Sequence, residues 1–121
     1  MAPLLTNAGR AILTNRIIGS GTEPKYVAVG TTNTAESASQ TALEAEVESR
    51  TDGTSSRVTT SVTNDTYQVV GTVTATGSRA IVEAGLFDAS SSGNMLVRGV
   101  FSTVNLASGD SIQMTIKLQF T

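Results

Sequence analysis

Two oppositely charged residues lie within apolar runs in the segment IVEAGLFDASSSGNMLVRGVF, residues 81–101. Glu83 stands in the first run and Arg98 in the second. A carboxyl group in apolar surroundings can serve as a catalytic acid or base. Alternatively, Glu83 pairs with an arginine such as Arg79 or Arg98, or accepts hydrogen bonds from backbone N–H groups. We expect a structural role, with Glu83 and Arg98 forming an ion pair across a hairpin or contacts between subunits.

Other sources of chemistry are scarce in this sequence. It contains neither histidine nor cysteine, so the most common general base and the strongest thiol nucleophile are missing. The stretch DASSSG, residues 88–93, resembles the start of a calcium loop, but Gly99 stands where a bidentate glutamate should close the cage. Asp65 and Asp110 occur in turn dipeptides, where aspartate bonds the local backbone. We therefore predict no catalytic residue, no metal ligand, no cofactor and no enzymatic activity.

Composition narrows the class of protein further. The 121 residues carry a net charge of −2, and the eight basic residues are spread singly along the chain. No basic stripe is present to neutralise a row of phosphates, which argues against direct nucleic-acid binding. No apolar run is long enough to predict a membrane span, and residues 1–10 lack the pattern of a secretory signal. Nineteen threonines and fourteen serines favour β-strands with half-exposed faces.

The periodicity predicts one domain over residues 1–121. Residues 1–24 should form an N-terminal arm and a helix, capped by Thr6 or Asn7 and stopped near Gly19 or Gly21. Residues 25–56 should contain a strand at 25–31, a polar loop, a short helix at 41–47 and a loop at 51–56. In that helix, Thr41 and Glu44 have the spacing of a capping box.

Residues 57–121 should form an antiparallel β-core. Its strands are predicted at 57–63, 66–75, 80–87, 95–101 and 111–120, and the last alternates apolar and polar residues throughout. The predicted fold class is mainly β (α+β). It would be an antiparallel β-sandwich or a partly closed barrel, with an N-terminal helix and one short helix.

An ordered set of short motifs runs through nearly the whole chain. They are LLTNAGRAIL, YVAVGT, TALEAEVESR, NDTYQVVGT, EAGLFD, LVRGVF and GDSIQMTIKLQF. In this order they resemble the N-terminal domain of bacteriophage tail-collar fibre proteins and the small virion proteins related to it. In fibre proteins this domain attaches a distal shaft to the particle. Here the sequence ends one residue after the last predicted strand, so we expect a compact building block without a receptor-binding tip.

The resemblance implies a bacteriophage structural protein of the virion. We expect a capsid decoration, or cement, protein on the outer surface of the head. Its partners would be the major capsid protein and copies of itself, with a trimer implied by analogy. The alternative is a tail or baseplate component or a fibre-attachment domain, and a carbohydrate-binding module ranks below both.

Partner contacts are expected from two segments outside the β-core and from the tip of the predicted hairpin. They are Met1, Ala2, Pro3, Leu4 and Leu5 in the N-terminal arm, Thr32, Asn33 and Thr34 in the polar loop, and Ser90, Ser91 and Ser92 in the tip. All are polar or terminal segments that could reach a neighbouring subunit.

Overall fold

The structure, a computed structural model that describes residues 3–121, contains two antiparallel β-sheets and one α-helix over that range. The elements are β1 (Leu4–Leu5), α1 (Asn7–Ile17), β2 (Tyr26–Gly30), β3 (Glu46–Asp52), β4 (Thr54–Val58), β5 (Thr66–Thr74), β6 (Arg79–Phe87), β7 (Met95–Leu106) and β8 (Ser111–Gln119). One sheet has the order β1-β7-β6-β2-β3 and the other β4-β5-β8. The mainly β sandwich is thus confirmed, and the two sheets do not close into a barrel over the described residues.

The helix α1 is held to the sheet at its N-terminus. Thr6 is the N-cap: its hydroxyl accepts a hydrogen bond from the Gly9 N–H at 2.9 Å and donates one to the Met95 carbonyl at 2.5 Å. Ile12 is buried in the core on the same side. The chain leaves the helix through Gly19, whose φ of 80° is the left-handed conformation that glycine adopts without strain.

The chain passes from one sheet to the other at Gly53. β3 and β4 are separated by this residue alone, so the loop predicted at 51–56 is wrong. The Gly53 N–H donates to the Lys25 carbonyl at 2.8 Å, and a Cβ on Gly53 would lie 2.5 Å from Val69 Cγ1. Only glycine fits this corner, and the pattern of turn-forming residues did not distinguish a corner between strands from a loop.

The short helix predicted at 41–47 is also wrong. Residues 41–45 form an irregular turn, and Glu46 already pairs with Gly30 of β2. A helix of two turns has little stability of its own. The backbone N–H groups of Glu44 and Ala45 bond instead to the carboxylate of Glu83. Tertiary hydrogen bonds therefore override the local capping pattern.

The strand predicted at 57–63 is shifted along the chain. β4 covers Thr54–Val58, and residues 59–65 form a loop around the carboxylate of Asp65. Its oxygens accept hydrogen bonds from the N–H groups of Thr60 at 2.8 Å and of Ser61 and Val62 at 3.0 Å. These backbone bonds hold the pKa of Asp65 far below its usual value.

β5, β6 and β8 agree with the predicted strands to within one residue at each end, whereas β7 continues to Leu106, five residues beyond its predicted end. β6 and β7 pair as a hairpin, with Leu86 opposite Val97, and β8 pairs with β5 over its whole length. Along β8, Met114, Ile116 and Leu118 are buried, whereas the residues between them are exposed. This alternation places the apolar side of β8 against the other sheet, where the main hydrophobic cluster lies.

Candidate functional site

Glu83 and Arg98 meet on one face of the β6–β7 hairpin. Glu83 lies opposite Val100 and Arg98 opposite Gly85, so the two charged residues are diagonal neighbours on that face. Arg98 Nε is 2.9 Å from Glu83 Oε1, and the side chains are 1% and 0% exposed, respectively. The structure therefore places the two sequence-predicted site residues in a fully buried ion pair.

The carboxylate of Glu83 receives three further hydrogen bonds from a single loop, residues 31–45. Oε2 accepts the Ala45 N–H at 2.9 Å and the Thr32 N–H at 3.3 Å, and Oε1 accepts the Glu44 N–H at 3.0 Å. Every partner is a donor, which suits an ionised carboxylate because it can only accept.

The guanidinium of Arg98 binds the same loop through its other two nitrogens. Nη1 donates to the Thr34 carbonyl at 2.8 Å and to Gln40 Oε1 at 3.3 Å, while Nη2 donates to the Thr32 carbonyl at 3.3 Å. No buried side-chain nitrogen or oxygen lacks a partner among the described residues. The ion pair thus acts as a two-sided anchor that holds residues 31–45 on the sheet.

Gly30 makes room for this anchor. A Cβ on Gly30 would overlap the Glu83 carboxylate and would lie 2.7 Å from the Ala45 carbonyl oxygen. An acid or base catalyst must come within hydrogen-bonding distance of a reacting group. The 31–45 loop and Arg98 cover the Glu83 carboxylate, so no reacting group can approach it. Its geometry is that of a structural contact.

Arg50 forms a second anchor, which no pattern in the sequence indicated. Its Nη1 donates to the carbonyls of Ala89 at 2.9 Å and Ser92 at 2.7 Å, and its guanidinium lies 3.6 Å from the centre of the Phe87 ring. Glu46 is a further partner of the Arg50 guanidinium, with its Oε2 at 2.9 Å from Arg50 Nε. Arg50 therefore ties β3 to the serine-rich tip of the hairpin.

Glu46 and Arg50 form an ion pair although both belong to a strand. Charged residues four apart favour an ion pair on a helix, but these two residues belong to β3. A bulge brings them together: Val27 pairs with Thr51 and Val29 with Val47, which leaves extra residues in β3, among them Glu48 with a φ of 67°.

Glu48, which no sequence pattern indicated either, forms an anchor between β3 and the turn before β6. Its Oε2 accepts the Thr76 N–H at 2.9 Å and lies 2.8 Å from Arg79 Nε. The hydrogen bond from the Thr76 N–H, followed by that from Arg79, lowers the pKa of Glu48. Arg79, which was an alternative partner for Glu83, is therefore paired with Glu48 instead.

The first of the expected partner contacts are those of the N-terminal arm, residues 1–5. Leu4 and Leu5 form β1 and pair with Arg98 and Val97, so this part of the arm belongs to the sheet and not outside it. Pro3 is half-buried, while Met1 and Ala2 lie outside the described residues.

The other expected contacts divide between the loop and the hairpin tip. Thr32 and Thr34 bind Arg98 through their carbonyls, which brings the polar loop beside the arm, and Asn33 between them is exposed. The exposed residues Ser90, Ser91 and Ser92 lie instead at the tip of the β6–β7 hairpin. There Asp88 Oδ1 accepts the Asn94 N–H at 2.7 Å, closing the turn that resembled a calcium loop.

The fold and its charged anchors define a β-sandwich protein whose buried polar groups have structural partners. Within residues 3–121, no three acidic residues gather as they would around a metal ion, and no helix has the length and apolar character to cross a bilayer. The chain belongs to the family described as Podophage GP4 fiber I protein gp80, whose model matches residues 12–119. No curated protein and no solved structure gives a significant match. Family membership supports a structural component of a phage virion and suggests a non-enzymatic role.

Proposed function

We propose that this protein is a structural subunit of the fibre apparatus of a phage, acting as a fibre-attachment domain or another tail component. The observation that carries the proposal is the match to a fibre protein family over residues 12–119, nearly the whole sandwich. A domain that attaches a fibre needs a rigid fold with defined surfaces, and it does not need reactive groups. The anchors supply that rigidity: Glu83 and Arg98 hold the 31–45 loop on the sheet, and Arg50 holds the tip of the β6–β7 hairpin against β3.

A capsid decoration protein is the second candidate. The proteins that this chain resembles include small virion proteins that bind over the junctions of capsid subunits. Such binding also requires a rigid domain that is repeated by symmetry. The low net charge of −2 and the polar exposed strand faces suit a subunit that packs against a protein shell. In this role the major capsid protein and further copies of the chain would be its partners.

Particle composition distinguishes the two candidates. Mass spectrometry of purified virions, calibrated with isotope-labelled peptides of this chain and of the major capsid protein, counts the copies per particle. A fibre or tail role predicts on the order of a dozen copies per particle, or a small multiple of a dozen. In electron micrographs, gold-labelled antibodies against this chain should then bind to the tail. Hundreds of copies and label on the head would overturn that proposal in favour of decoration. Absence from purified virions would overturn both.

A carbohydrate-binding role predicts a different result. Sugar sites favour exposed aromatic rings, and among the large apolar side chains that are exposed in residues 3–121, Phe120 at 49% is the aromatic one. A glycan array with the isolated protein tests this directly. Binding that is lost in Phe120→Ala but kept in Val62→Ala, a change at another exposed apolar residue, would favour the sugar-binding role over attachment.

A further inference from the structure

β8 is a long strand at the edge of its sheet. The order β4-β5-β8 leaves one side of β8 without a neighbouring strand over the described residues. Its pairing with β5 runs without a bulge from Thr66 opposite Gln119 to Thr74 opposite Ser111. An edge of this kind presents a row of unpaired N–H and C=O groups that can template another strand.

The residues that face the open side of β8 follow from the backbone hydrogen bonds at its two ends. Ala75 N–H donates to the Asp110 carbonyl at 2.8 Å, and Phe120 N–H donates to the Asp65 carbonyl at 2.9 Å. Both pairs continue the β5–β8 register. Because bonded and non-bonded pairs alternate in antiparallel sheets, the even-numbered residues of β8 bond to β5. The odd-numbered residues, from Ser111 to Gln119, therefore direct their N–H and C=O groups away from the sheet.

The other edges carry features that discourage pairing. β1 has only two residues and β4 five. β3 is interrupted by its bulge and carries four charged residues, and β7 has a register shift between Val100 and Val104. Natural edge strands are protected by shortness, bulges and charge. β8 has none of these except for one charged residue, Lys117.

We propose that β8 pairs with β8 of a second copy of this chain, antiparallel and centred on Thr115. The two sheets would join into one of six strands around a two-fold axis. In this register Ser111 faces Gln119 of the second copy, Gln113 faces Lys117, and Thr115 faces Thr115. Every odd-numbered residue of β8 is then bonded on its open side.

The side chains support this register. Even-numbered residues pair with each other, so Ile112 faces Leu118 and Met114 faces Ile116 on the inner side of the joined sheets. Apolar residues therefore meet apolar ones, which a shift by one residue would prevent. Each Lys117 faces the neutral Gln113, so no like charges lie opposite each other, and paired threonines are favourable cross-strand neighbours. The strand that fits this edge has the same alternation of apolar and polar residues as β8, and β8 of a second copy has it.

The pairing specifies a surface for self-association, whichever place on the virion the protein occupies. It predicts a two-fold dimer, whereas the resemblance to tail-collar domains implies a trimer. Because the isolated protein suffices for the test, its result is separate from that of the virion composition. Failure of the pairing would leave the fibre or decoration role untouched.

Disulfide trapping gives the sharpest test, since the natural chain has no cysteine. In Thr115→Cys the two introduced residues would face each other with Cα atoms about 5.5 Å apart, within the usual disulfide range. In Gln113→Cys, a matched exposed control, the two cysteines would lie about 13 Å apart along the strands. With diamide as oxidant, we expect Thr115→Cys to form covalent dimers at least about tenfold faster than Gln113→Cys. Equal rates would overturn the proposal.

Sedimentation equilibrium of the unmodified chain provides the second readout. A reversible dimer is expected, and Thr115→Lys should raise its dissociation constant about tenfold or more by placing two like charges face to face. Thr72→Lys is the control, because Thr72 is exposed on the same sheet but belongs to β5, away from the edge. A monomer at every concentration, a trimer, or a dimer insensitive to Thr115→Lys would contradict the pairing.

Discussion

Arg98 Nε lies 2.9 Å from Glu83 Oε1 in the interior of the sandwich, and both side chains also bind the backbone of residues 31–45. The pair therefore does more than neutralise two buried charges. It replaces the regular secondary structure that this loop lacks by supplying partners for its N–H and C=O groups. Glu83 accepts hydrogen bonds from both ends of this loop, and Arg98 donates to carbonyl groups between them, so the two side chains together hold the segment on the sheet.

Glu83→Gln should destabilise the fold by about 3 kcal/mol. The amide keeps the shape of the carboxylate, but its NH2 group would face donors, either the Arg98 guanidinium or the backbone N–H groups of the loop. Urea denaturation followed by circular dichroism measures the loss. Glu44→Gln, at an exposed position of the same loop, is the matched control and should change the free energy of unfolding by less than about 0.5 kcal/mol. Similar values for both variants would contradict the anchoring role.

Ile116→Asp should prevent folding. Ile116 is 0% exposed, and the cost of burying an unpaired carboxylate exceeds the few kcal/mol by which small domains are stable. The control is Gln113→Asp, since Gln113 is exposed on the opposite side of the same strand. Circular dichroism and proton NMR dispersion distinguish the two. A folded Ile116→Asp variant would show that the inward side of β8 has been assigned to the wrong residues.

Asp65→Asn should lower the melting temperature at pH 7, and the difference from the natural chain should shrink in acid. The pKa of Asp65 is depressed in the folded state, chiefly by N–H bonds from Val62 and Thr60, relative to an ordinary value near 3.8. A depressed pKa stabilises the fold above the unfolded value, and this contribution is lost as the pH falls toward the folded value.

The measurement for Asp65 is a series of thermal melts from pH 7 to pH 2. Glu36→Gln serves as a control for the loss of one negative charge, with Glu36 in the 31–45 loop. We expect the difference in melting temperature for Asp65→Asn to be constant near neutrality and to narrow below about pH 3.8. A difference that widened in acid would show that the loop at 59–65 is not held by the ionised carboxylate.

Arg50→Lys should loosen the hairpin tip without unfolding the sandwich. A lysine ammonium cannot reproduce the planar fork that binds Glu46 and the carbonyls of Ala89 and Ser92. Hydrogen exchange by mass spectrometry should show faster exchange in peptides covering residues 88–94. Arg57→Lys is the control, because Arg57 is exposed on β4. Unchanged exchange in the tip would mean that the Asp88–Asn94 turn alone maintains its conformation.

Several parts of the fold were predictable because their signals are local. The period-two pattern of Ile112 to Leu118 and the two apolar runs around the serine tip specify β8 and the β6–β7 hairpin. The cap at Thr6 and the glycines after Ile17 delimit the helix. In each case the residues that decide the conformation are neighbours in the chain or lie on one face of one element.

The errors have a common physical cause. Residues 41–47 contain an acceptable capping pattern, but two turns of helix contribute less than the tertiary hydrogen bonds to Glu83. At Gly53, what matters is the close approach of Val69 from another strand. Arg50 binds the carbonyls of Ala89 and Ser92 from a bulged strand, and no local pattern indicates this contact. The same holds for the bond between Glu48 and Arg79.

The sequence alone determined that this is a mainly β chain with one N-terminal helix, and that two opposite charges lie in apolar strands. Side-chain periodicity and the apolar character of adjacent residues can be read along the chain, because both are local properties. Three features follow from tertiary packing alone: Glu83 and Arg98 bind the 31–45 loop, the chain changes sheets at Gly53, and β8 has an open edge within residues 3–121. Each of these depends on which distant segments pack together, and packing is chosen by the whole chain at once.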